Sequence, residues 1–290
     1  LGGVSNIVLD YVFIVVCHLG VSGAALATSI GYAIPALFGI FYFLLNRRGT
    51  LYLVKPVFRG KVLFYSCING SSEMVNNLAV AITTFLFNLL MLNYAGESGV
   101  AAITIVLYAQ FLMTSVFMGF SSGIAPVVSF NYGSQNTVQL QKVFKNSILT
   151  VSVASILVFL IAEFFSEPVI GIFVSPESEV FQITKHGFAI FSLSFLFTGI
   201  NIFSSALFTA LSNGKVSAIL SFLRTFVFLV IFLLLLPLIW GVDGIWLAVP
   251  VAEILAFLVS IYYLVRMKNI YHYYTSETRK SSSLNGSSVE

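Results

Sequence analysis

Apolar runs, each about as long as a membrane span and separated by short polar breaks, fill the chain almost to its end. A bilayer core about 30 Å thick needs about 20 apolar residues per crossing helix. Backbone in lipid must satisfy its own hydrogen bonds, so runs of this length predict helices. Eight are predicted, near residues 1–18, 24–45, 62–94, 101–126, 143–165, 184–210, 216–239 and 244–266. The third is longer than a crossing requires. It has room to tilt, to bend near Gly70, or to project beyond the bilayer. Pro35 and Pro126 are further candidate bends. The fold class is therefore an all-α polytopic membrane protein.

Composition supports the same solvent. The 290 residues are 58% hydrophobic and 9% charged, with a mean hydropathy of +0.99. A soluble domain carries roughly a quarter charged residues. The formal net charge of +3 is small and gives no reason to expect a nucleic-acid partner. Cys17 and Cys67 both lie in apolar stretches and read as buried free thiols rather than a disulfide. His18, His186 and His272 are scattered, and no Cys/His/carboxylate spacing suggests a metal site. No nucleophile–base pair or phosphate loop is present, so an enzyme is not expected. The chain opens at Leu1 inside an apolar run without a basic leader, so a signal peptide is not read there.

The charges orient the spans. If the eight alternate, Arg47, Arg48, Lys55, Arg59, Lys61, Lys142, Lys145, Lys215, Arg266, Lys268, Arg279 and Lys280 share one side, with Arg224 deeper from it. Of the 14 basic residues only Lys185 falls opposite, together with Glu97, Glu163, Glu167, Glu177, Glu179 and Asp243. Basic loops face the cytoplasm, so the C-terminus is expected there. Residues 269–290 are polar and Ser-rich and read as a disordered tail. Asn285-Gly-Ser matches a glycosylation sequon whose cytoplasmic position argues against its use.

An internal repeat is visible. Gly20-Val-Ser-Gly-Ala-Ala-Leu-Ala27 and Gly241-Val-Asp-Gly-Ile-Trp-Leu-Ala248 match at five of eight positions, at an offset of 221. Each stretch follows a long apolar helix and opens the next. A chance match is the alternative. If the repeat is real its unit is six helices, and four further helices are expected upstream of Leu1. Two parallel halves are a transporter architecture with the substrate site between them.

Ionisable residues at bilayer depth are costly and mark functional hypotheses. Asp10 lies about 14 Å inside the first span by helix rise. Asn6 stands one turn away on the same face. Such a pair can exchange a proton or hold a small cation, or brace helix packing. Asn69, Glu73 and Asn77 form a second polar stripe, with Asn76 beside it. It suits cation or proton coupling or a cationic substrate, or a polar seam between helices. Glu253 follows Pro250 and serves either chemistry or the proline bend. Arg224 is read as snorkelling toward the cytoplasm, with pairing to a carboxylate as the alternative.

In these residues the chain resembles the multidrug and toxic compound extrusion (MATE) family. Asn6-Ile-Val-Leu-Asp10 and Gly20-Val-Ser-Gly-Ala-Ala-Leu-Ala-Thr28 look like that family's fifth helix and the start of its sixth. Ser71-Ser-Glu73 matches the acidic position of the seventh. Gly119-Phe-Ser-Ser-Gly-Ile-Ala-Pro-Val-Val-Ser-Phe-Asn-Tyr-Gly133 resembles the eighth and its following loop, and Gly244-Ile-Trp-Leu-Ala-Val-Pro-Val-Ala-Glu253 the twelfth. The resemblance covers the chain to about residue 268. It implies a twelve-helix, two-bundle fold of which this chain carries the last eight helices. Residues 1–61 supply the end of the first bundle and a linker, and residues 62–268 the whole of the second. It implies a monomeric plasma-membrane antiporter in which H⁺ or Na⁺ drives export of small organic, often cationic, compounds, with no other cofactor. By this resemblance Asn6 and Asp10 belong to a cation site and Glu73 is a second coupling acid. Asn69, Asn77, Asn201 and Glu253 are placed as substrate or supporting residues. The family's tenth-helix acid has no counterpart between Phe188 and Leu211, where Asn201 is the polar residue. A lipid or lipid-linked sugar flippase of the wider fold group is the rival transport reading. Its need for a cationic cavity is poorly met by mid-membrane charges that are mainly acidic. A fragment inactive without its upstream helices is the other rival.

Overall fold

The computed structural model describes residues 2–45 and 58–274, with side chains of residue 62 and residues 65–76 excluded. The described backbone is mostly helical with no strand among the described residues, and the chain divides into two units, Leu1–Tyr65 and Ser66–Glu290.

In the first unit, α1 (Gly2–Asp10) runs directly into a π-helical segment, π1 (Tyr11–Val16). A turn then reverses the chain into α2 (Gly20–Leu45). The two helices pack closely because α2 buries Gly23, Ala27 and Gly31, one small residue per turn. A Cβ on Gly31 would stand 2.9 Å from the Asn6 Cβ, so only a glycine admits this approach. Stripes of small residues are how helices associate in lipid, where burying apolar area gains nothing. Pro35 sits inside α2 without ending it. Cys17 is a free thiol but exposed, contrary to expectation. It lies beyond the end of π1, in the turn, where neither helix covers it.

The second unit begins within α3 (Gly60–Gly133). Its backbone stays helical past Gly70, one of the places where a bend was a possibility. The break is at Gly96 (φ 64°, ψ −157°), a conformation open to glycine and closed to most side chains. The two predicted spans are therefore the two arms of α3. The second arm continues through Pro126 to Gly133, further than its predicted end. Next come α4 (Thr137–Phe164), the short α5 (Ser166–Gly171), α6 (Glu179–Ser192) and α7 (Phe195–Ala210). Asn136 and Ser178 cap the starts of α4 and α6, accepting from Gln139 and Phe181 N–H groups. The single sixth span of the prediction is in fact α6 and α7, bent by 53°. At the bend the Ser192 hydroxyl is drawn onto the Glu163 carboxylate, and Ser194 starts the new helix.

The last two spans are α8 (Gly214–Phe222), π2 (Leu223–Phe228), α9 (Leu229–Leu235) and α10 (Pro237–Trp240), then α11 (Val242–Tyr271). Five described helices are long and apolar enough to cross a membrane, six counting the bent pair as one span. The longest of these, Asn77–Gly133, contains the Gly96 break, and Gly2–Val16 is a shorter apolar helix.

One core of the second unit is built on Phe87, Met91, Phe117, Phe191, Phe195 and Trp246. The other is built on Leu140, Phe203, Leu207, Phe208, Leu264 and Tyr273. Beyond α11, His272 turns the chain in the left-handed region (φ 56°), and Tyr273 folds back to donate its hydroxyl to the Leu264 carbonyl at 2.6 Å. Burial pushes the Tyr273 phenol above its ordinary pKa. Between α7 and α8 runs a chain of hydroxyls. Thr209 meets Ser217 at 2.6 Å, Ser217 meets Ser205 at 3.0 Å, and Ser205 meets Ser221 at 2.7 Å. In lipid such contacts hold helices together.

The repeated sequence is a repeated structure. Gly20 and Gly241 both adopt φ 56° at the start of a helix. The second glycine of each motif faces the preceding helix. A Cβ on Gly23 would lie 3.0 Å from the Phe13 backbone, and one on Gly244 would lie 2.3 Å from the Leu236 carbonyl. The π segments do not follow the repeat, since π1 shifted by 221 falls on 232–237 rather than on π2.

Candidate functional site

In the first unit Asn6 and Asp10 lie one turn apart on α1, as predicted, and both are half-buried. The Asn6 Nδ2 is out of contact with solvent and has no hydrogen-bond partner. Among the described residues the Asp10 carboxylate has no partner either. Asn6 faces a cavity of about 410 Å³, walled also by Gly2, Thr28, Gly31, Tyr32 and Pro35. Asp10 is not part of that wall. It stands at the junction with π1, where the ordinary helical hydrogen-bond pattern shifts, and its side chain makes no capping bond there. The arrangement is a carboxylate and an amide held in place by packing, with their polar groups uncommitted.

In the second unit Asn69, Asn76 and Glu73 lie in helical backbone, but their side chains are outside the described residues. Asn77 is exposed. The structure brings together four other polar residues from three different spans. Glu253 of α11 is 5% exposed, and Asn201 of α7 is 2% exposed. Asn201 donates to the Glu253 carboxylate at 2.6 Å and to its backbone carbonyl at 3.0 Å. Ser260 donates to the Asn201 amide oxygen at 3.0 Å. Arg224 of π2 completes the cluster, its Nε 3.2 Å from the second carboxylate oxygen. The snorkelling reading of Arg224 is thereby replaced by the ion pair. A guanidinium that reaches a carboxylate within the unit has no need to extend to the surface.

This cluster borders a cavity of about 160 Å³ between α3, π2 and α11, walled in part by Thr83, Phe87, Gln110 and Thr225. A larger cavity of about 560 Å³ adjoins it, sharing Val80, Thr84, Leu107 and Gln110 and adding Asn88, Tyr108 and Phe111. The Asn88 amide oxygen is buried without a donor. Sequence reading passed over Asn88 and Gln110. The available signal was an amide inside an otherwise apolar helical run, the signal that did single out Asn201.

Three of the acidic residues assigned to the outer side have polar partners in the second unit. Glu167 pairs with Lys185, Asp243 with His186 at 2.8 Å, and Glu179 accepts from Ser98 at 2.9 Å. These contacts are exposed and contribute little stability individually.

The family model MatE matches residues 74–235, more than half of the chain. The chain belongs to the MatE family. It is similar to the multidrug export protein MepA of Staphylococcus aureus, strain bovine RF122 / ET3-1, with 24% identity over 264 residues. MepA of Staphylococcus saprophyticus is 25% identical over 268 residues. These alignments cover 90% and 91% of this chain, which spans 58% of each relative's length. The fold is similar to that of a multidrug resistance MATE family transporter of the MOP superfamily in its outward-facing conformation. That likeness has a TM-score of 0.81 and 23% identity, and covers 93% of this chain and 61% of the other. The MatE chain is therefore a multi-pass, all-α membrane protein of a transporter family.

Proposed function

We propose that this MatE chain serves secondary active export of small organic compounds, driven by inward flow of H⁺ or Na⁺. The family match over residues 74–235 carries the reading. MepA's description as a multidrug export protein supports the substrate class. In this reading residues 1–61 supply the last two helices of one bundle and residues 62–268 a whole second bundle, and access alternates between the two. Asn6 and Asp10 take the coupling ion, and their uncommitted polar groups support that role. Glu73 is the second coupling acid, with Asn69 and Asn77 beside it and Asn201 and Glu253 in supporting places. The protein works as a monomer in the plasma membrane with its C-terminus in the cytoplasm. Its only cofactor is the coupling ion.

The test is ethidium efflux from vesicles carrying the protein, with an imposed pH or Na⁺ gradient. Efflux should follow one of the two gradients. It should disappear in Asp10→Asn and Glu73→Gln at unchanged membrane abundance. Undiminished efflux in both variants would sink the assignment.

A further inference from the structure

We infer that the lysines where α4 meets the end of α11 bind the phosphate headgroup of an anionic glycerophospholipid, with an acyl chain lying along α4. The inference rests on the proposed orientation for the leaflet, the cytoplasmic one, and not for the chemistry.

The junction is held by packing and hydrogen bonds, not by charge. The Gln141 side-chain amide donates to the His272 carbonyl at 3.1 Å, and the Phe144 and Tyr273 rings lie 4.7 Å apart. Tyr273 is buried and bonded in turn to the Leu264 carbonyl. The His272 N–H closes on the Lys268 carbonyl, so Lys268 stands one turn from the contact. On α4, Lys142 follows Gln141 directly and Lys145 lies one turn beyond it. Lys142 and Lys145 are exposed, and Lys268 is half-buried. Three ammonium groups from two spans thus border one fixed junction.

No carboxylate answers them. α4 up to Glu163, the whole of α7, and α11 beyond Glu253 contain no Asp or Glu. Among the described residues none of the three lysines has an acidic partner. Lys268 has only the face of the exposed Tyr274 ring, 5.7 Å from its Nζ. Uncompensated cations on adjoining spans attract phosphate, and basic pockets between spans take anionic lipid headgroups.

The rest of α4 then selects lipid over free phosphate. This helix buries Ser147 and Ser155 beside Val151 and Val158, and it exposes Leu149, Val153, Ile156 and Leu160. That is the reverse of a helix facing water. The exposed four recur at steps of three and four residues, so they form one stripe. Lys142 lies two turns before Leu149, at the head of the same stripe. From Leu149 to Leu160 the stripe is about 17 Å long by helix rise. One leaflet of a bilayer core is about 15 Å deep. An acyl chain fits that track while its headgroup meets the lysines. A free phosphate would use the lysines alone.

The experiment uses the full chain, purified in a neutral maltoside detergent, and a phosphatidylglycerol carrying a fluorescent acyl chain, read by anisotropy. No gradient is applied, so the result stands apart from whether transport occurs. Bound probe is displaced with unlabelled phosphatidylglycerol, phosphatidylcholine or water-soluble glycerol phosphate. Phosphatidylglycerol should be about a hundredfold more effective than phosphatidylcholine, three lysines each contributing about fivefold. Glycerol phosphate, with the charge but no chain, should displace no probe at the concentrations at which phosphatidylglycerol does. The preference between the two lipids should vanish in Lys142→Gln/Lys145→Gln/Lys268→Gln. Equal displacement by the two lipids from the unaltered protein would overturn the proposal, and this measurement needs no variant. Equal displacement by glycerol phosphate, or a full preference kept by the folded triple variant, would overturn it too. So would failure of the probe to bind, and a dimer on sedimentation would then give this face of α4 to a second copy of the chain.

Discussion

The two units share a turn and differ in what they do with charge. Gly20 and Gly241 reverse the chain with the same φ, and the glycine three residues later lets the new helix press against the old one. Around those matching turns the first unit leaves the Asn6 Nδ2 and the Asp10 carboxylate without partners among the described residues. The second ties Glu253 to Asn201 and Arg224. The acids do not follow the repeat either: Asp10 shifted by 221 meets Ile231, and Glu253 shifted back meets Tyr32. Backbone architecture and polar chemistry are thus separable. The second unit's acid already has a cation in Arg224, whereas the first unit's acid has none among the described residues.

The difference can be broken most sharply at Arg224. Arg224→Gln strands a buried carboxylate, and removing one member of a buried pair costs about 3–5 kcal/mol. Denaturation in detergent should show that loss, and Arg224→Gln/Glu253→Gln should recover most of it. Additive losses would mean that the pair is not a unit.

Next in size are the turns. Gly244→Ala puts a methyl group into the Leu236 backbone and should cost about 1–3 kcal/mol. Gly23→Ala meets Phe13 at a longer distance and should cost less. The two melting curves, taken together, rank the tightness of the two copies. An equal loss at both would contradict the closer approach in the second unit.

Smaller still is Asp10→Asn. With no partner to lose, it should move stability by no more than about 0.5 kcal/mol while abolishing ion-driven efflux. A large stability loss would show that Asp10 is structural and would erase the contrast. The smallest effect is expected from Asn6→Leu. Removing a buried donor that bonds to nothing should leave the melting point unchanged or slightly raised.

The spans were legible because lipid imposes length and apolarity on each one. Gly96 falls in the gap predicted between the third and fourth spans for that reason. The Asn6–Asp10 face was legible because helix periodicity alone sets it. The bend between α6 and α7 was not, because Ser192 and Ser194 are serines like many that only pack. What meets the chain there is a carboxylate from another span, Glu163, on the Ser192 hydroxyl. A carboxylate partner for Arg224 was legible as the alternative to snorkelling, but that the partner is Glu253 was out of reach for a similar reason. Depth can be counted along one helix, but which helices adjoin cannot. Cys17 misled because an apolar neighbourhood in sequence does not guarantee one in space. The repeat understated itself: a short match in letters proved to be one turn built twice.

The Gly241 turn has a consequence for how this protein enters a membrane. It joins the helices carrying Arg224 and Glu253 into one hairpin. Inserted alone, the leg that emerges first from the ribosome would bring an arginine into the bilayer, at about 2.5–3.5 kcal/mol near its centre. The answering carboxylate is synthesised only after the turn. The leg's many Leu, Ile, Val and Phe residues outweigh that cost, and with Glu253 in place the hairpin crosses as a neutral whole. The ion pair thus cancels, inside one hairpin, a charge that each helix would otherwise carry into lipid alone.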